Sequence, residues 1–154
     1  ASAYEFEKKQ GGDSFGAVLA RNTDFKGYVE IRLALPNDRQ CRNFHAHRLA
    51  SMFGEKQGDE ATRANMAAGK LPFIGVVERY SESLEKLELL LESEGFEGVK
   101  LKPVEKNVSR NVKKSLDEKL ADIKEKLGET QFSQLEQANK TDLELYQNLV
   151  AIEQ

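Results

Sequence analysis

The chain has 154 residues, 39% of them hydrophobic and 32% charged, with a formal net charge of −3. This length allows one domain, and the composition is too apolar for a disordered tail and too polar for a membrane protein. The acidic balance argues against nucleic acid as a partner, and a single cysteine, Cys41, excludes an internal disulfide framework and a thiolate zinc site.

In chain order, Ser2 to about Lys9 suits the first turns of a helix, ended by Gly11 and Gly12. Phe25, Tyr28, Val29 and Leu33 share one face of a helix over Phe25–Leu35, which Pro36-Asn37-Asp38 ends. Asn37 or Asp38 is placed to cap a following helix that carries Cys41, Phe44, Leu49, Met52 and Phe53. Gly54 to Asp59 reads as a loop, and Glu60 to Ala68 as a short Ala-rich helix closed by Gly69. Leu71-Pro72-Phe73-Ile74-Gly75-Val76-Val77 is a continuous apolar run, the pattern of a strand covered on both faces. No second segment of equal quality exists to pair with it, so its sheet partners are expected outside these residues. The amphipathic start at Ala1, with neither Met nor a polar lead-in, likewise reads as a piece of a longer protein.

The remainder reads as helix and connector. Ser81 is placed to cap a helix whose Leu84, Leu87, Leu90 and Leu91 face inward, stopped near Gly95. Val99 to Val112 is a basic connector with Lys100, Lys102, Lys106 and Arg110, and Lys113 and Lys114 at its edge, against Glu105. Ser115-Leu116-Asp117-Glu118 forms a capping box ahead of Leu120, Ile123 and Leu127, with Gly128 ending the helix. Phe132, Leu135 and Ala138 mark another helix, and Thr141-Asp142-Leu143-Glu144 a second capping box for the last one.

Standard catalytic motifs are absent: no Walker loop, no G-x-G-x-x-G and no G-x-S-x-G. His45-Ala46-His47 has the look of a metal pair, but on a helix two rings two residues apart point about 200° apart, so structural or solvated histidines are expected. Cys41 reads as a buried, unreactive thiol. One thiol fits a reducing compartment, and no apolar run reaches spanning length, so a cytoplasmic protein is expected. The stretch Asn107-Val108-Ser109-Arg110-Asn111 offers cations and small polar residues suited to a phosphate, or simply a solvated loop.

Four stretches resemble, in order, those of carbohydrate-type sulfotransferases: Ser2-Ala3-Tyr4; Arg39-Gln40-Cys41-Arg42-Asn43-Phe44; Phe73-Ile74-Gly75-Val76-Val77-Glu78-Arg79-Tyr80 with Ser83-Leu84; and Asn107-Val108-Ser109 with Asp142, Leu143, Leu145 and Tyr146. The resemblance implies an α/β, P-loop-like sulfotransferase fold. Residues 1–154 would be the C-terminal part of a single sulfotransferase domain, mainly helical with one short buried-type strand. It implies 3′-phosphoadenosine 5′-phosphosulfate as co-substrate and a small-molecule or glycan acceptor attacking through a hydroxyl or amine. Ser2, Ser109 and Arg110 would hold the nucleotide, and Gln40 and Arg42 would face the acceptor. The phosphosulfate loop and the usual base of that family precede the point matching Ser2, so no catalytic residue is assigned. The alternatives from the residues alone are a non-enzymatic helical interaction module or a degenerate nucleotide-binding subunit.

Overall fold

Short polar side chains ahead of apolar stripes start four of the helices. The Ser14 hydroxyl accepts from the Ala17 N–H at 3.3 Å, Asp24 from Gly27 at 2.8 Å and Asp59 from Thr62 at 2.8 Å. Ser115 and Glu118 close the capping box read from the sequence, each answering the other's backbone N–H. In this computed structural model, which describes residues 2–54, 56–103 and 114–152, the helices run in chain order. They are α1 (Ser2–Lys9), α2 (Phe15–Asn22), α3 (Phe25–Ala34), α4 (Phe44–Ala50), α5 (Glu60–Lys70), a single 3₁₀ turn (Val77–Arg79), α6 (Tyr80–Ser93), α7 (Leu116–Leu127), α8 (Glu129–Ala138) and α9 (Lys140–Ile152).

Two packing centres organise these helices. Tyr4, Leu19, Ala20, Tyr28, Val29 and Leu127 form the larger, joining α1, α2, α3 and α7, with Phe132 and Leu135 of α8 against it. The Tyr4 ring meets Phe25 and Tyr28 edge-on at 5.6 and 5.3 Å, and its hydroxyl donates to the Thr23 carbonyl at 3.1 Å. Tyr28 and Leu127 are its largest fully buried side chains, each contributing about 1.5–3 kcal/mol of burial. The smaller centre is built from Ala46, Ala50 and Ala64, whose small size lets α4 and α5 approach closely, with Leu145 of α9 packed against them.

The α/β, P-loop-like expectation is corrected: the described residues are mainly helical and contain neither strand nor sheet. Leu71–Val77, read as a strand, is irregular: Leu71 and Val76 are extended, Val77 already enters the 3₁₀ turn, and the segment pairs with nothing in a ladder. A strand needs neighbouring N–H and C=O groups, and here the Ser83 hydroxyl supplies both for Val76. It accepts from the Val76 N–H at 2.9 Å and donates to the Val76 carbonyl at 3.2 Å. The helix expected to carry Cys41 starts only at Phe44, because the Asp38 carboxylate that was to cap it is taken by Arg32. Ser81 and Thr141 are not caps, since α6 and α9 begin at Tyr80 and Lys140. Helix α6 packs chiefly against the short turn before it, leaving Leu89 67% exposed. No helix among the described residues is long and apolar enough to cross a membrane.

Candidate functional site

Arg32 stands where α1, α2, α3 and the loop after α3 converge. Its Nη2 donates to both Glu7 oxygens at 2.8 and 2.7 Å, and its Nη1 to Asp38 Oδ2 at 2.5 Å. The guanidinium lies 5.1 Å from the centres of the Phe15 and Tyr28 rings, and the Tyr28 hydroxyl donates to Glu7 at 2.6 Å. Burial opposes the Arg32 charge, but the bonds to Asp38 and Glu7 outweigh it, so its pKa rises. Burial first, then the bond to Glu7, raises the Tyr28 phenol, and burial pushes the neighbouring Cys41 thiol up to about 11. Gly16 permits this crowding: a Cβ there would overlap the Glu7 carboxylate and the Arg32 guanidinium.

The cluster positions the loop that carries two of the expected site residues. The second oxygen of Asp38 accepts from the Gln40 N–H at 2.8 Å. Arg42 folds back, its Nη2 donating to the Leu33 carbonyl at the end of α3 at 2.8 Å while its Nε is buried without a partner. Together with Glu30, Gln134 and Gln137, Arg42 lines a hollow of about 630 Å³. Ser2 is exposed at the first position of α1 and makes no hydrogen bond to Gln40 or Arg42. Ser109 and Arg110 lie outside the described residues.

A second, more apolar cleft of about 490 Å³ opens between α4, the 71–77 segment and α9. Leu49, Met52, Phe73, Val76, Leu145 and Leu149 line it, with His45, Arg48, Glu78 and Asp142 at its polar margin. Val77 stands 82% exposed beside it. His45 and His47 diverge as helical spacing requires, His45 towards this cleft and His47 Nδ1 towards Glu60 at 3.1 Å. The described residues hold no group of three or more His, Cys, Asp or Glu able to ligate a metal.

The cleft walls are tied together by residues whose sequence context gives no hint of this use. Asp142 of α9 accepts from the His45 and Ala46 N–H groups at 3.1 and 2.7 Å, capping α4 from across the fold. Asn43, left-handed at φ 41°, donates from its backbone to Asn139 Oδ1 at 3.0 Å and from its side chain to Thr141 at 3.3 Å. Asn139 also donates to the Cys41 carbonyl at 2.9 Å. A Cβ on Gly75 would press on Ser83 Cβ at 3.2 Å, so the glycine lets the extended segment reach the hydroxyl that holds it.

This chain's sequence pattern recurs in another protein. A protein of Archaeoglobus fulgidus, described as uncharacterized, is 42% identical over 153 residues, 97% of this chain and 60% of its own length. The chain therefore spans about three fifths of the relative it matches. No protein-family model matches the chain, and no solved structure does. The arrangement can exclude water from an apolar ligand and orient it with a few polar groups at the rim, which is the chemistry of recognition.

Proposed function

We propose that this chain is a helical docking module that receives an apolar polypeptide segment in the cleft between α4, the 71–77 segment and α9. The exposed Val77, next to a water-accessible apolar lining, carries this reading. The test uses short synthetic peptides tiling the part of the Archaeoglobus fulgidus protein that lies outside the match, titrated calorimetrically. At least one should bind, and Val77→Asp should weaken it roughly 10- to 150-fold, the equivalent of about 1.5–3 kcal/mol of lost valine burial. Because Val77 is exposed, the variant keeps its fold, and unchanged affinity would remove the cleft from recognition.

A second reading, sulfuryl transfer from 3′-phosphoadenosine 5′-phosphosulfate to a hydroxyl or amine, is supported by a separate observation. Residues quoted in two different parts of that resemblance interlock: the Asp142 N–H donates to Asn43 Oδ1 at 3.3 Å. In this reading the chain contributes Ser2, Ser109 and Arg110 to the nucleotide, and the activity belongs to a protein of the relative's length. Calorimetric titration of adenosine 3′,5′-bisphosphate tests it. Arg110→Ala should weaken binding roughly 10- to 150-fold through loss of a charge-assisted contact of about 1.5–3 kcal/mol. No binding by the unaltered protein rejects it.

A further inference from the structure

We infer that the occupant of the cleft is a β-strand from outside these residues, hydrogen-bonded to the free backbone edge at Phe73 and Gly75; the inference rests on the docking reading above. Four observations carry it. The first is composition: Phe73-Ile74-Gly75-Val76-Val77 is rich in the β-branched and aromatic residues that strands favour, and Pro72, without an N–H, stands where a strand begins.

The second is backbone accounting. Val76 is extended at φ −104° and ψ 124°, and Leu71 at φ −76° and ψ 131°. Between them, the N–H groups of Phe73, Ile74 and Gly75 find no partner among the described residues. Polar backbone groups beside an apolar lining are the template to which another strand adds.

The third fixes the register. In extended chain a residue's N–H and C=O point to the same side, and the sides alternate along the chain. Both groups of Val76 are bound by Ser83, which assigns Val76 and Ile74 to the α6 side. Phe73 and Gly75 are left on the open edge.

The fourth is length. The relative carries about two fifths of its chain beyond the matched region, ample for a strand.

The experiment is amide exchange by NMR on the isotope-labelled chain, alone and with the tightest of the tiling peptides. With peptide at roughly a hundred times its dissociation constant, the Phe73 and Gly75 amides should exchange about a hundredfold more slowly, while Ile74 changes far less. Binding that depends on Val77 but leaves Phe73 and Gly75 unprotected overturns the strand and keeps the docking module. Failure of every peptide to bind overturns both. Protection of the same amides by raising the chain's own concentration overturns the assigned occupant, because a second copy then fills the edge.

Discussion

Replacing Arg32 by Met removes a guanidinium that holds two carboxylates and stacks on two rings, while keeping most of the side-chain volume. Breaking a buried ion pair from one side costs about 3–5 kcal/mol, because the other partner stays buried and uncompensated. Here the Glu7 and Asp38 side chains remain 18% and 10% exposed, so water reaches them and the lower end applies, about 3 kcal/mol. At roughly 2–4 °C per kcal/mol for a chain of this size, thermal unfolding should shift down by about 6–12 °C. The assay is thermal and urea unfolding of the wild type, Arg32→Met, Glu7→Gln and the double variant. The double variant should lose less than the sum of the singles by at least about 1 kcal/mol, since Glu7 is no longer a charge facing an empty site. A shift within about 0.5 kcal/mol for Arg32→Met, or strict additivity in the cycle, would refute the idea that this cluster holds α1, α3 and the 38–42 loop together.

Three further outcomes follow from the same geometry. Gly16→Ala should destabilise by about 1–3 kcal/mol in chemical denaturation, because the new methyl lands on the Glu7–Arg32 pair; a stabilised variant contradicts the close approach of α2. The folded Cys41 thiol is held above its ordinary value by burial, so it is protonated more strongly than in the unfolded chain. Its contribution is complete below pH 9 and is lost as pH rises towards about 11, so the melting temperature should fall across that window and fall less steeply in Cys41→Ala. A thiol reagent at neutral pH should accordingly label the native protein much more slowly than the denatured one. Asp142→Ala should cost about 1–2 kcal/mol and lower helicity by circular dichroism, since it strips the cap from α4; unchanged helicity separates α9 from that role.

Local signals in the sequence were legible where one helix suffices to explain them. The Ser115–Glu118 box, the Phe25 to Leu33 stripe and the glycine stop at Gly128 all appear where they were expected. Helix α2 was missed, because eight residues with Gly16 near the start give a weak period, although Ser14 caps it well. Long-range choices misled the reading elsewhere. Asp38 has the chemistry of a cap and is spent on Arg32, six residues before it, while Asp142, read as opening its own helix, caps α4 instead. Leu71–Val77 carries the composition of a strand, but composition cannot provide the neighbour a ladder requires. The Glu7–Arg32–Asp38 cluster had no local signature at all, since Glu7 lies 25 positions from the Arg32 it holds.

The cap that Asp142 places on α4 also has a kinetic side. Helix α4 has seven residues, well short of the roughly 12–15 that an isolated helix needs in water, and its N–H groups are answered from 96 and 97 positions away. Such a helix leans on tertiary contacts, with α5 along its length and with α9 at its N-terminus, so its cap is completed only by the closure that delivers α9. Opening of α9 at equilibrium should uncap α4 and fray its first turn, so the two cleft walls respond as one unit. A ligand in the cleft then stabilises both helices together, and its affinity is set in part by how often that unit is closed.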